Sequence, residues 1–167
     1  MKITHKVEKV GHPEWKWDFP EGFILVIDTR EQDRLFKKPP KGLVTVRDKL
    51  DAGDYSIKGF ESSVAVERKN VVDLFGSLGR ERERFKKELE RLERYERVWL
   101  VIEGTEDEVL SFQPYSQLHP NVVRASLASI EVRYHVGVYY ARAKGEAERW
   151  ILDRLLKFYK LKRGDGK

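Results

Sequence analysis

Two acidic residues and a lysine are clustered on a predicted β-hairpin in the first half of the chain. The hairpin is predicted over residues 53–69, with residues 58–61 as its turn. Antiparallel pairing about that turn places Asp54 opposite Glu67, and Lys69 follows two residues later on the same face. Residues opposite each other on antiparallel strands have Cα atoms about 4.5–5.5 Å apart, so the two carboxylates are close enough to share one cation.

A third carboxylate is expected beside this pair. Asp28 ends the apolar run Phe23–Asp28, which has the composition of a buried strand. Acids gathered in this way repel one another unless a cation joins them, and carboxylate oxygens suit Mg²⁺ or Mn²⁺. Such an ion polarises a phosphodiester and acidifies a bound water. Lys69 can then orient that water or offset the charge that develops on phosphorus.

A second interpretation of the same spacing stays open. The chain has 28 acidic and 33 basic residues, so an Asp followed at a distance by Glu-x-Lys also arises by chance. A surface hairpin with solvated charges explains the spacing as well, and on spacing alone it is the favoured explanation.

The elements around the hairpin predict an α/β layered domain, because strands alternate with helices. Asn70 is predicted to cap a helix that contains Asp73, and His119 to cap another. The other predicted strands are Phe23–Asp28, Val44–Lys49, Val98–Glu103 and Val138–Tyr140, and the other helices are residues 81–97, Asn121–Tyr134 and Gly145–Leu161.

Composition excludes several classes of protein. The chain has 167 residues, 40% of them hydrophobic, which excludes disorder for most of its length. It has no cysteine, which excludes disulfides, thiolate nucleophiles, Fe–S clusters and cysteine-based zinc sites. No apolar run is long enough for a signal peptide core or a membrane span. We therefore expect an intracellular protein of the cytoplasm, with few Asn and Gln, as in thermophiles.

The charge is a weak indication of partners. A net charge of +5 gives about even odds of a polyanionic partner. Trp15, Lys16 and Trp17 could stack on bases, but core packing or a capping arm is the favoured role for the two tryptophans.

Two multi-residue motifs resemble the XPF/MUS family of structure-specific endonucleases. The family pattern GD…ERKxxxD matches Gly53-Asp54 followed by Glu67-Arg68-Lys69-Asn70-Val71-Val72-Asp73. The upstream DxRE pattern matches Asp28-Thr29-Arg30-Glu31. The resemblance runs from about residue 23 to residue 160 and is similar to compact stand-alone members. It implies a restriction-endonuclease-like fold, with a central mixed sheet flanked by helices.

The resemblance also implies an activity, Mg²⁺-dependent cleavage of forked, flapped or junction DNA in repair or recombination, with Mn²⁺ as a substitute. Asp28, Asp54 and Glu67 would surround the metal. Arg68 and Lys69 would support the scissile phosphate and the water. The remaining transferred residues are Arg30 and Glu31 in the polar network, Asp73 holding Arg68 or Lys69, and Arg80, with Arg68, near the DNA.

The resemblance implies partners as well. The expected organisation is an irregular arm over residues 1–20, a nuclease domain over 21–161 and a flexible tail over 162–167. The family pattern implies a homodimer through the C-terminal helices, and Trp150, Ile151, Leu155 and Phe158 are the candidate apolar face, although core packing explains each of them as well. No helix-hairpin-helix module is visible, so a helicase or clamp partner, and association with the nucleoid, are expected. The alternative function is a non-catalytic DNA-binding or scaffolding subunit.

Overall fold

The structure is a computed structural model, and it describes residues 15–165. The strands are β1 (Ile24–Asp28), β2 (Val44–Asp48), β3 (Tyr55–Ile57), β4 (Val64–Asn70), β5 (Arg97–Glu103) and β6 (Val136–Ala141). The helices are α1 (Val71–Leu78), α2 (Arg82–Leu92), α3 (Glu106–Val109), α4 (Pro120–Tyr134) and α5 (Lys144–Lys162). The strands form one sheet in the order β2-β1-β3-β4-β5-β6.

The sheet is mixed, as predicted. β1 pairs with β2 in parallel and with β3 antiparallel, whereas β4, β5 and β6 run parallel to one another. In the β3–β4 hairpin Tyr55 pairs with Val66. This register agrees with the predicted turn, and continuing it by one residue sets Asp54 beside Glu67, where the Asp54 N–H donates to the Val66 carbonyl.

Helices cover the two faces of the sheet and bury a separate apolar cluster on each. One cluster joins α5 to the side chains of β3 and β4 that include Tyr55 and Val66. The other joins α1, α2 and α4 to the opposite side chains, which include Ala65, Leu100 and Ile102. The α/β prediction is confirmed, and each strand residue can be assigned to a face because side chains alternate.

The two predicted helix caps form. Asn70 Oδ1 accepts a hydrogen bond from the backbone N–H of Asp73 at 2.7 Å and starts α1. His119 Nδ1 accepts one from the backbone N–H of Asn121 at 3.1 Å and starts α4. Each side chain satisfies a backbone donor that has no partner inside the helix.

The helix predicted over residues 81–97 is too long. Phe85, Leu89 and Leu92 are buried along one stripe as expected, but α2 ends at Leu92. The chain then turns, and the backbone N–H of Glu96 donates to the carbonyl of Ser63 at the edge of the sheet. The charged pattern that predicts a helix thus continues over residues 93–97, although the chain there already leads into β5. The short helix α3 was not predicted.

The apolar face assigned to dimerisation lies mostly in the core. Ile151, Leu155 and Phe158 are buried against the sheet beneath α5. Trp150 is half-buried and stacks on Tyr139, with ring centroids 4.4 Å apart. Core packing is therefore the role of Ile151, Leu155 and Phe158, because a helix lying on a sheet buries its apolar stripe there. The homodimer itself stays a prediction.

The aromatic residues before β1 form a stacked row. Trp17, Phe19 and Phe23 stack in sequence, and Phe23 contacts Tyr159 of α5 at 5.4 Å between centroids. Trp17 thus packs on the core, as favoured above, whereas Trp15 is exposed beside Arg149. The predicted arm over residues 1–20 and the tail over 162–167 lie partly outside the described residues. Between residues 15 and 165, no helix is both long and apolar enough to cross a bilayer.

Candidate functional site

Four of the predicted site residues meet at one end of one sheet face. Asp28 ends β1, Asp54 directly precedes β3, and Glu67 and Lys69 belong to β4. All four alternate onto the face that carries Ala65, which is the face covered by α1, α2 and α4. The backbone ties the three strands together there, because Asp28 N–H donates to the Asp54 carbonyl and Asp54 N–H to the Val66 carbonyl, both at 2.8 Å.

The glycine before Asp54 has a steric role in placing this carboxylate. Gly53 has φ of +79°, in the region that favours glycine, and a Cβ there would lie 3.0 Å from Ala65 Cβ. Any other side chain at this position would push the start of β3 away from β4. The GD motif therefore fixes the approach of Asp54 to Glu67.

Asp54 and Glu67 disfavour each other's ionisation. Burial, with a smaller contribution from the nearby Glu31 and Glu88 carboxylates, raises the pKa of Asp54 to about 7, although the hydrogen bond from the Arg68 N–H and the Lys69 charge oppose this rise. Burial and the Asp54 charge raise the pKa of Glu67 well above its usual 4.5, and Glu67 is only 6% exposed. Two buried acids that repel each other are the chemistry a divalent cation neutralises.

Lys69 is the positive group of this cluster. Its Nζ lies 2.9 Å from Glu67 Oε1 and 4.8 Å from the centre of the Phe85 ring. Burial alone would lower the pKa of Lys69, but the Glu67 carboxylate offsets this and the pKa is raised. The lysine is therefore a fixed ammonium at the inner wall of the site.

The third predicted metal ligand, Asp28, borders the same cavity, but its oxygens already have hydrogen-bond donors. Both oxygens of Asp28 accept hydrogen bonds, from Arg30 N, Nε and Nη2 at 2.8, 2.8 and 3.0 Å and from Leu50 N at 2.7 Å. Burial would raise the pKa of Asp28, but these bonds lower it. Within residues 15–165, no three acidic or histidine side chains are arranged to hold a metal ion. The three-carboxylate metal site stays a prediction, and in this structure Arg30 and the Leu50 N–H use the Asp28 oxygens.

Arg68 lies behind the site rather than in it. Its side chain projects to the opposite face of the sheet, where Nε and Nη2 bind both oxygens of Glu103 at 2.7 and 2.9 Å. Nη1 donates to Glu31 Oε1 at 3.3 Å and to the Asp33 carbonyl at 2.7 Å. With a side chain 7% exposed, the guanidinium braces the loop after β1 against β5. These contacts favour a positioning role over the predicted phosphate contact.

Asp73 does not hold the basic residues as predicted. Among the described residues, no hydrogen bond or ion pair joins its side chain to Arg68 or Lys69. Its backbone N–H is instead the donor capped by Asn70. Asp73 still borders the cavity in front of Glu67.

That cavity has a volume of about 470 Å³ and opens between the sheet end and helices α1 and α2. Five arginines border it, and three of these lie in α2 or in the turn before it: Arg80, Arg84 and Arg91. The Arg80 side chain is 86% exposed, which fits the predicted place near a polyanion. Glu88 of α2 also lines the cavity and acts electrostatically on Asp54 and Glu67.

Sequence reasoning missed Glu88 and Glu103. Glu103 could have been found, because it ends a buried strand that is parallel to β4 in an α/β sheet. Glu88 lies in a charged helix, and only its position three residues after the buried Phe85 distinguishes it from neighbouring acids.

Comparison with known proteins identifies the family. The model of the ERCC4 domain matches residues 27–153, which include the whole carboxylate cluster. The chain belongs to the ERCC4 domain family. A comparison with curated proteins finds no match.

Solved structures of XPF from Aeropyrum pernix share this fold. One, in complex with DNA, has a TM-score of 0.62 and 20% identity, and the match covers 83% of this chain and 65% of that one. The other has a TM-score of 0.62 and 22% identity, and covers 81% and 61%. The chain thus spans less than two thirds of either XPF chain and shares the fold of the part that it matches.

Because its surroundings disfavour the charged form of Asp54, replacing this side chain with a neutral one is expected to raise the free energy of unfolding. The folded pKa of about 7 exceeds the ordinary 3.8, so the folded state binds more protons and loses stability as pH rises from about 4 to above 7. Without divalent ions at about pH 8, Asp54→Asn should raise the free energy of unfolding by about 2 kcal/mol, since Asn still accepts the Arg68 N–H. Thermal unfolding at several pH values measures this, and the gain should shrink toward pH ~4.

The exposed Asp18 is the matched control for this prediction. Asp18→Asn should leave the unfolding midpoint unchanged at every pH. A loss of stability in Asp54→Asn at about pH 8 would contradict the buried repulsion.

The two hydrogen bonds from Arg68 to the Glu103 carboxylate, here called the Glu103 clamp, predict an effect on the stability of the whole protein and one on the Arg68 backbone. Glu103→Gln leaves a nearly buried guanidinium with one acceptor oxygen fewer, and should cost about 1–3 kcal/mol of unfolding free energy. The Arg68 N–H, which donates to Asp54, should exchange with solvent faster in NMR measurements than in the wild type. Glu90→Gln, on the exposed side of α2, is the control. Equal Arg68 exchange in both variants would rule out the clamp.

Proposed function

We propose that this protein is a divalent-cation-dependent endonuclease that hydrolyses phosphodiester bonds in branched DNA, such as forks, flaps and junctions. The observation that carries the proposal is the opposed pair Asp54 and Glu67, with Lys69 beside them, at the inner wall of an open cavity. XPF from Aeropyrum pernix, which shares the fold, was solved in complex with DNA. Repair or recombination of DNA is the proposed setting.

Asp54 and Glu67 are the proposed ligands of the cation, Mg²⁺ with Mn²⁺ as a substitute. Their mutual repulsion is relieved when both are ionised around a positive ion. Such an ion supplies polarisation of the phosphodiester and activation of a water. Asp28 is proposed to act indirectly, by holding Arg30 and the Leu50 backbone in place.

The protein's own groups perform the remaining tasks. Lys69 places a fixed positive charge where negative charge develops on the phosphate, and its bond to Glu67 keeps it in the site. Arg80 and Arg84 at the rim, with side chains 86% and 87% exposed, would bind flanking phosphates. Arg68 holds the backbone between Glu67 and Lys69 from behind.

A homodimer and a helicase or clamp partner complete the proposal, with the protein at the nucleoid in the cytoplasm. Because most of the α5 stripe is in the core, a dimer would need other apolar surface near the C-terminal helices. Val122 and Val132 of α4 are 42% and 78% exposed and are suitable candidates.

One observation favours the alternative, a non-catalytic DNA-binding subunit. Asp28 is not available to a metal, and the described residues contain no three-ligand site. A subunit of this kind would bind branched DNA through its arginine rim without cutting it.

Cleavage of labelled fork, flap and four-way junction DNA against linear duplex decides between the two. With Mg²⁺ or Mn²⁺ the wild type should cut branched DNA, and Asp54→Asn should cut at least about a hundredfold more slowly while binding DNA normally. Asp18→Asn should cut like the wild type. Undiminished cutting by Asp54→Asn would refute the site, and binding without cutting by the wild type would support the alternative.

A further inference from the structure

A second cavity lies on the other side of α1 from the carboxylate cavity. It has a volume of about 490 Å³, and its walls include Phe75, Tyr115 and Leu118. Tyr115 stands edge-on to Phe75 at 6.1 Å between ring centroids and is 49% exposed. The amide of Gln117 and the hydroxyl of Ser116 lie at the same wall. An aromatic wall with a few polar groups suits a planar, partly polar ligand.

The two cavities are continuous across the exposed side of α1. Val72, Gly76 and Arg80 border both of them. Val72 and Gly76 are four residues apart, so they lie in one row along α1. Arg80 follows in the turn after the helix ends at Leu78. Val72 is 56% exposed and Arg80 is 86% exposed, whereas Gly76 makes a gap between them. A chain leaving the carboxylate cavity can therefore pass over α1 at Gly76.

The fold itself does not require a glycine at this gap. Gly76 lies inside α1, and a Cβ built on it has nothing within 4 Å. Glycine inside a helix is less favourable than alanine by about 0.8–1.0 kcal/mol. A glycine that the helix does not need, in front of open space, marks a close approach by something outside the chain.

We propose that a DNA strand crosses α1 at Gly76, so that the base of a nucleotide next to the scissile phosphate lies unstacked against the exposed ring of Tyr115, which packs on the buried Phe75. Aromatic side chains bind unstacked bases without sequence preference. Arg80, which borders both cavities from the turn after α1, binds the phosphate between the two nucleotides. The inference rests on the proposed nuclease function and specifies its substrate: DNA with an unpaired nucleotide beside the cut.

This arrangement explains selection of branched DNA by a single nuclease domain. A base in intact duplex is paired and stacked, and must leave the helix before it can enter a side cavity. At a fork or flap an unpaired nucleotide is already available. Specificity then arises within the nuclease domain itself.

The test compares two helix glycines. Gly145 begins α5 on the other side of the sheet, and its Cβ would meet only the end of the Arg149 side chain, at 3.5 Å. Gly76→Ala and Gly145→Ala should each leave the unfolding midpoint equal or raise it by about 2–4 °C. Gly76→Ala alone should bind fork DNA at least about fivefold more weakly, with duplex binding changed less than about twofold.

A photocrosslinking experiment locates the base in the complex without requiring DNA cleavage. Fork DNA carrying 5-iododeoxyuridine at single positions around the branch is irradiated with protein in EDTA, and the crosslinked peptide is identified by mass spectrometry. The wild type and Gly145→Ala should crosslink at Tyr115 from one unpaired position, and Gly76→Ala should lose most of this product.

The outcomes separate the inference from the proposed function. Fork binding and Tyr115 crosslinking by Gly76→Ala at the level of Gly145→Ala would overturn the base site, even if the wild type cuts DNA. A Gly76-dependent crosslink in a protein that cuts no DNA would support the base site and refute the nuclease. Absence of any Tyr115 crosslink in the wild type would also overturn the base site.

Discussion

Two carboxylates that repel each other across one strand pair are the constraint on which the rest of this site depends. Asp54 and Glu67 are directly opposed in the β3–β4 hairpin, and burial raises the pKa of both. Folding has to compensate for this repulsion, and it does so with the Glu67–Lys69 ion pair and the Arg68 N–H donated to Asp54. The repulsion that remains costs stability, and the proposed cation would relieve it, as is common where function requires buried charge.

Arg68 links the two faces of the sheet in this arrangement. Its backbone lies between Glu67 and Lys69 and donates to Asp54, while its side chain binds Glu103 and the loop after β1 on the other face. Arg68 thus connects the sheet face that carries Asp54, Glu67 and Lys69 to the face covered by α5. Loss of its acceptors would loosen the backbone from which the Glu67 and Lys69 side chains project.

The hairpin and its register could be predicted because alternation and a short turn leave one pairing that places Asp54 opposite Glu67. The caps at Asn70 and His119 are local, and their side chains indicated them. Long-range competition could not be predicted: Asp28 had the right strand and face, but Arg30 and the Leu50 N–H occupy its oxygens.

Other features also depend on contacts that sequence periodicity does not report. The α5 stripe suited a core face better than a dimer face, and packing on the sheet places it in the core. The family motif predicts a phosphate contact for Arg68. Strand alternation already indicates that the Arg68 side chain lies on the other face of the sheet from the Glu67 side chain. Glu103 became visible only once β4 and β5 were paired.

The central claim is that Asp54 and Glu67 together hold a divalent cation, and Mn²⁺ binding measured by electron paramagnetic resonance without DNA tests it most directly. The account predicts that the wild type binds Mn²⁺ more tightly as pH rises through about 7, because binding requires ionised carboxylates. Asp54→Asn should lose this binding, and Asp18→Asn should keep it. Mn²⁺ binding that is unchanged in Asp54→Asn would contradict the account.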